Sequence, residues 1–437
     1  MTVNVRLRSM RYGGAIAELT SADREALMTR GAENDASVAP DAAQIIAEVR
    51  QGGDESLREL ARRFDGVAPE SLEVPSDVIR RALDETPLDL RRAMERAARN
   101  LTTVHRAFMP TSVETQPEPG IIVGRRPDPL ERVGIYAPGG RATYPSSVLM
   151  GAIPARVAGV RETILCSPPD SSGVPSRSVL AAAAIAQVDR VFAVGGAGAI
   201  AAMAFGTESI PRVNRIVGPG NAYVAAAKLQ VVGQVAIDSP AGPSELVVIA
   251  DESADPDVVA LELIAQAEHD PRACVLAVAV GASVADRIER ALDAALDVAR
   301  RREIVMSAFA AQGGVLLAGS LDEAVSFSNE YAPEHLLLCV RDLDAALSKV
   351  LNAGTVFMGM TASVAFGDYM TGANHVLPTG GLARSYSGLS PLDYVRWTTY
   401  QRVSPDTAAS LAADVACFAE AEGLPGHATA ARQWSER

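Results

Sequence analysis

The chain has 437 residues, 48% of them hydrophobic and 21% charged, and a formal net charge of −13 at pH 7. That length suffices for roughly three domain-sized units, and the acidic balance disfavours a nucleic-acid partner, since little would offset phosphate repulsion. The apolar stretches are alanine-rich and short of a membrane span, so small-molecule chemistry becomes the leading class.

Residues 1–30 are polar, broken by Gly13-Gly14, and read as a peripheral arm. They carry Arg6, Arg8 and Arg11 with no apolar run behind them, so no signal peptide is visible and a cytoplasmic location is expected. Apolar residues recur at helical spacing over 41–64 and 76–109 among many arginines and glutamates, predicting surface-packed helices. A Pro-, Gly- and Thr-rich segment over 111–128 reads as extended chain.

From Glu131 short apolar runs alternate with glycine turns and alanine-rich helices, the rhythm of a parallel α/β unit. Strands are predicted at 132–136, 163–167, 190–194 and 215–217. Three of them run into the turns 137–140, 195–198 and 218–221, where exposed helix N-terminal amides can accept phosphate oxygens. Gly196-Ala197-Gly198-Ala199-Ile200-Ala201 matches the G-x-G-x-x-A pattern of dinucleotide sites, but no acidic residue follows about twenty positions on, so alone it is a weak signal. A second α/β unit follows, with strands at 246–250, 274–280, 315–317 and 336–340. Beyond Leu389 comes a tail whose helix runs from Ser404-Pro405 to about Glu422, with His427 beyond it. The four cysteines, Cys166, Cys274, Cys339 and Cys417, show no CxxC pairing or disulfide framework and are expected to be reduced core residues.

Between Asp255-Pro256, an N-cap with proline at the first helical position, and the stop Asp270-Pro271 lies a helix of about three turns. Val259, Leu263 and Ala267 form its core stripe, while Glu262, Gln266 and His269 share another face. Two interpretations stand: a metal site, or an imidazole that merely closes the helix at its negative end. The chain has five histidines. His105 sits in an ordinary helix and receives no role; the candidate metal ligands are Gln266, His269, Asp368 and His427. Nitrogen and oxygen donors without thiolate suit zinc in an open catalytic site, and manganese or cobalt also fit. Glu334-His335, at a strand mouth, pairs a carboxylate with an imidazole that together can activate water and move a proton near neutral pH; such adjacent pairs also arise by chance.

The segments Glu131 to Gly140, Tyr144 to Val148, Gly218 to Asn221, Ala241 to Glu245, Gln266 to His269, Ala332 to His335, Gly367 to Tyr369 and Asn374 to Thr379, in this order, resemble the histidinol dehydrogenase family over nearly the whole chain beyond about residue 40. The resemblance implies two Rossmann-like parallel-sheet α/β domains. Residues 31–136 with 246–388 would form a first, discontinuous domain carrying the metal and catalytic residues, and 137–245 a second on the NAD side. Residues 1–30 would be an arm, and 389–437 a helical tail reaching the partner subunit of a homodimer. It implies NAD-dependent, zinc-containing oxidation of L-histidinol through L-histidinal to L-histidine. Gln266, His269, Asp368 and His427 would bind zinc, whose shell the substrate completes; Ser244, His375 and Glu422 would also hold substrate. His335 would take the hydroxyl protons and Glu334 would activate water. Tyr136, Gly198 and Asn221 match the NAD positions, with one departure: the family carries glutamine where this chain has Gly198.

Three alternatives remain open. One is a paralogue oxidising another alcohol, such as a sulfonated diol, to its acid with NAD. A zinc hydrolase using Glu334 is disfavoured by the glycine turns, and a silent binding protein by the intact set of presumed catalytic residues.

Overall fold

A computed structural model describes residues 10–30, 37–67, 69–139 and 143–435. Arg6, Arg8 and Gly140, singled out above, lie outside the described residues. In chain order the strands are β1 (Tyr12–Ala15), β2 (Val113–Thr115), β3 (Ile121–Pro129), β4 (Arg132–Tyr136), β5 (Glu162–Ser167), β6 (Arg190–Ala193), β7 (Arg215–Val217), β8 (Ala236–Ile237), β9 (Glu245–Ala250), β10 (Cys274–Val280), β11 (Gly313–Ala318), β12 (His335–Cys339), β13 (Thr355–Met358) and β14 (Val395–Val403).

They form a parallel five-stranded sheet, order β6-β5-β4-β7-β8, and a parallel six-stranded sheet, order β1-β11-β10-β9-β12-β13. This is the expected mixed α/β class. The central strands are near-continuous aliphatic runs, as burial on both faces requires, and every residue of β9 and β12 is buried. Helices Pro256–Ala267, Ala282–Val298 and Arg302–Gln312 cover one face of the larger sheet through Val259, Leu263, Ile288, Leu292 and Phe309. Helix Leu321–Tyr331 covers the other. No helix among the described residues is long and apolar enough to cross a membrane.

Several elements depart from the predicted grouping. The segment read as a peripheral arm supplies β1, paired with β11, and buries Tyr12, Ile16 and Leu27 in the core. Strand β4, placed by its sequence position in the first domain, is the central strand of the five-stranded sheet. The helices before it, Ala39–Phe64, Ser76–Asp84 and Leu88–Ala107, pack on the alanine-rich helices of that same sheet. Their apolar stripes find the closest flat partner there, whatever their distance in sequence. The tail also contributes a strand: β14 pairs antiparallel with β3, and β2 completes a small third sheet. Cys166, Cys274 and Cys339 are free and buried as expected, whereas Cys417 is exposed on the tail helix.

The two parallel sheets present opposite edges to the regions of interest. The glycine turns follow the carboxyl ends of β4, β6 and β7, whereas Ser244 and Glu334-His335 stand at the amino ends of β9 and β12. A loop joins the two units. Asn374 Nδ2 donates to the Met150 carbonyl at 2.8 Å, and Asn100 Nδ2 donates to the Met370 carbonyl at 2.7 Å.

Candidate active site

The helix Pro256–Ala267 forms as its sequence dictates: Asp255 accepts from the Asp257 amide at 3.0 Å, and Pro256 occupies the first turn. Val259, Leu263 and Ala267 are fully buried. On the other face Glu262 accepts from the Val364 amide at 3.1 Å, which anchors the start of the short helix Val364–Tyr369 carrying Asp368. Gln266 is buried in the last turn, and His269 lies exposed two residues beyond the helix end.

Glu334 and His335 are buried at the amino end of β12. His335 Nδ1 lies 2.9 Å from the Glu245 carbonyl, which can only accept, so this nitrogen carries the proton. It is also 3.3 Å from Glu334 Oε2. Nε2 is buried without a hydrogen bond, 3.6 Å from Asp368 Oδ1, and is the nitrogen left to the site. Burial pushes the Glu334 carboxyl up from its ordinary value. Burial alone would lower His335, but the Glu334 carboxylate, with Asp368 on the other side, outweighs it and holds the imidazole well above its ordinary value. Asp368 is itself drawn below the usual carboxylate range: burial works against this, and His335, His375 and His269 override it. His375 Nδ1 donates to the Asp368 carbonyl at 2.9 Å, and burial holds its ring below the ordinary histidine value. Ser244 directly precedes β9, its carbonyl accepting from the Cys274 amide at 2.9 Å.

The structure therefore brings Gln266, His269, Glu334, His335, Asp368 and His375 into one region. Of the predicted metal and substrate residues it leaves two outside it. Glu422 caps the tail helix Pro405–Ala421 and His427 lies on the helix Pro425–Arg432, both exposed. Among the described residues no three His, Cys, Asp or Glu side chains stand close enough to hold a metal ion. The donors nevertheless have the right chemistry for a divalent ion of borderline character: a carboxylate held ionised, an imidazole within its electrostatic reach and an amide on the adjoining helix turn.

The three positions expected to contact NAD, Tyr136, Gly198 and Asn221, line one cavity of about 630 Å³ at the carboxyl edge of the five-stranded sheet, with Asp65 and Pro168 beside them. Tyr136 ends β4, and its hydroxyl accepts from the Gly196 amide at 3.1 Å. Asn221 caps helix Ala222–Gln230 through the Val224 amide. Gly198 sits buried on helix Gly196–Phe205, where a Cβ would lie 3.0 Å from Leu60 Cδ1 and 3.4 Å from Leu57 Cδ2. The volume of a side chain there is already taken by leucines of the helix Ala39–Phe64.

A family model for histidinol dehydrogenase matches residues 28–434. The chain belongs to the histidinol dehydrogenase family. It is 44% identical over 418 residues to the histidinol dehydrogenase of Methanosarcina mazei, covering 95% of this chain and 96% of that one. With the Halobacterium salinarum histidinol dehydrogenase the identity is 48% over 415 residues, covering 95% and 97%. The crystal structure of histidinol dehydrogenase from Elizabethkingia anophelis superposes with a TM-score of 0.92 at 32% identity, covering 98% of each chain.

Sequence reasoning gave no role to two residues of this family member that hold the site together, Arg30 and Glu245. Arg30 carries no local signal, because apart from the Leu27 carbonyl its partners are more than 200 positions away. Glu245 did carry one: a carboxylate opening the fully apolar run Leu246 to Ala250 must find charged or amide partners once buried.

Proposed function

We propose that the chain oxidises L-histidinol through L-histidinal to L-histidine with NAD, the last step of histidine biosynthesis, as a homodimeric zinc enzyme of the cytoplasm. One observation carries this assignment: buried His335 lies between Glu334 and Asp368, in a chain matched nearly end to end by histidinol dehydrogenases. His335 Nε2 takes the hydroxyl proton in each oxidation, because its other nitrogen is committed to the Glu245 carbonyl. Glu334, raised by burial, is suited to exchange a proton with the water that adds to the aldehyde. Gln266, His269 and Asp368, with His427 from the partner's tail, would hold zinc; Ser244, His375 and Glu422 would orient the substrate. Zinc, when bound, supplies polarisation of the substrate and relieves the pull of Asp368 on the His335 proton. Tyr136, Gly198 and Asn221 would line the NAD site, and the hydride chemistry belongs to that cofactor.

The test is NADH formation from L-histidinol, counted per substrate consumed, before and after zinc removal. About two NADH per histidinol, abolished by chelation and restored by zinc, is the expected result. The alternative is a family member acting on another alcohol or diol, and Gly198 under Leu57 and Leu60 is the feature that favours it. No turnover of histidinol, with NADH formed from a diol, would decide for that alternative.

A further inference from the structure

Beneath Glu334 and His335 lies a buried charge cluster to which neither the hydride step nor the metal assigns a function. Arg30 comes from the N-terminal segment and is buried with Glu245; their side chains are 1% and 2% exposed. Its guanidinium donates through Nε to Glu245 Oε1 at 2.8 Å and through Nη2 to Oε2 at 2.7 Å. Nη1 bonds the Leu27 and Tyr331 carbonyls at 3.2 and 3.0 Å, and Nη2 bonds the Ala332 carbonyl at 3.3 Å. All five N–H groups of the fork are thus used. The guanidinium also lies 3.4 Å over the Tyr331 ring centroid.

Glu245 passes this anchoring on. Its Oε2 accepts from the Glu334 amide at 3.2 Å and its Oε1 from the Gly380 amide at 2.8 Å. Its own amide donates to Glu334 Oε2 at 2.8 Å, and its carbonyl takes the His335 Nδ1 proton at 2.9 Å. One residue therefore touches the backbone and carboxylate of Glu334, the ring of His335 and the glycine turn after His375. The carboxylates divide their tasks by geometry. Both oxygens of Glu245 are occupied, whereas Glu334 keeps one oxygen without a hydrogen bond among the described residues. Arg30 also fixes the turn that delivers Glu334: the Ala332 carbonyl it binds belongs to a non-glycine residue at φ 51°, a conformation that needs outside support.

We propose that Glu245, neutralised by Arg30, is a positioning residue that sets the geometry of Glu334 and His335, so that the N-terminal segment is part of the catalytic apparatus. The inference rests on the assigned roles of that pair. Replacing both charges together, Arg30→Met with Glu245→Met, leaves no lone buried charge, although the Leu27, Tyr331 and Ala332 carbonyls and the Glu334 and Gly380 amides lose their partners. The zinc-loaded double variant is expected to fold with a lowered melting temperature and to keep a KM for histidinol within about threefold. Its kcat falls about a hundredfold, the scale of a misplaced catalytic group. In the same protein the low-field proton resonance of His335 Nδ1–H, identified by its loss in His335→Asn, broadens or shifts.

A folded double variant with wild-type kcat and an unchanged resonance overturns the proposal. Should the double variant not fold, Arg30→Lys keeps the charge but loses fork contacts to the Tyr331 and Ala332 carbonyls. An undiminished kcat there overturns the proposal as well. If wild-type protein makes no NADH from histidinol, the assigned activity fails, and the resonance alone then decides for or against Glu245 as the positioning residue.

Discussion

At the start of β12 a carboxylate and an imidazole share a small buried volume, and the fixed tautomer of His335 separates their tasks. Truncating the imidazole in His335→Asn removes the proposed acceptor for the hydroxyl proton, and turnover of the alcohol should fall by about 10²–10⁴-fold. Glu334→Gln is expected to spare alcohol oxidation and depress oxidation of the aldehyde, measured separately with histidinol and histidinal. Equal losses on both substrates would remove Glu334 from water activation. A second histidine makes a statement about stability. His105, on helix Leu88–Ala107, is 1% exposed with both ring nitrogens unpartnered, and burial lowers its pKa to about 4. The unfolded chain binds this proton near pH 6.5 and the folded chain does not, so stability present above pH 6.5 is lost as pH falls from there towards 4. At pH 5 this amounts to about 2 kcal/mol. His105→Leu should flatten that acid-side loss; urea midpoints at pH 7 and pH 5 that drop as far as in wild type would show that His105 is not its source. The His105 effect could not be read from the sequence, where His105 is one more residue of an amphipathic helix.

Helix Gly196–Phe205 packs against Ala39–Phe64 beside the cavity proposed for NAD. The close approach depends on Gly198: Leu57 and Leu60 occupy the space a side chain would need. Gly198→Gln should overpack this contact and cost about 1–3 kcal/mol, and Leu60→Ala in the same chain should recover part of the loss by vacating the volume. Calorimetry of the single and double variants checks this, and a double variant less stable than either single one would mean that Leu60 is not the obstacle. Elements with local signals were legible in advance. Asp255-Pro256 and Asp270-Pro271 bracket their helix, and the aliphatic runs of β9, β10 and β12 announce a doubly covered parallel sheet. Elements defined by a distant partner were not. Strand β1 contains Gly13-Gly14 and owes its existence to β11, where Tyr12 pairs with the distant Gly314. Strand β14 alternates Trp397, Thr399 and Gln401 on an exposed ribbon, where only the pairing with β3 fixes it as a strand. The proposed catalytic pair was legible as chemistry, but its support was not, because Arg30 and Glu245 stand 215 positions apart in the chain and meet only through the fold.

Across the whole molecule the tail helices stand out by the large apolar side chains they leave exposed. Helices Pro405–Ala421 and Pro425–Arg432 pack on each other around Ala416, Ala419 and Ala428. They expose Val415, Phe418 and Leu424, an apolar surface of the kind that subunit contacts cover. Glu422 and His427 sit on this unit, while the remaining proposed ligands lie at the amino edge of the six-stranded sheet. If the tail of one subunit serves the site of its partner, two inactive variants should repair each other. His335→Asn retains an intact tail, and His427→Ala retains an intact catalytic pair; each homodimer alone has no complete site. In a mixed dimer, the His427→Ala core receives the tail of the His335→Asn chain, so one of its two sites is whole. Random reassortment makes about half of all dimers mixed, and the mixture should reach about a quarter of wild-type specific activity. The measurement is NADH formation from histidinol after the two chains have been unfolded, mixed and refolded together with zinc. Activity no greater than the sum of the separately refolded variants would place His427 in its own subunit's site, because a tail acting within its chain cannot restore a partner lacking His335.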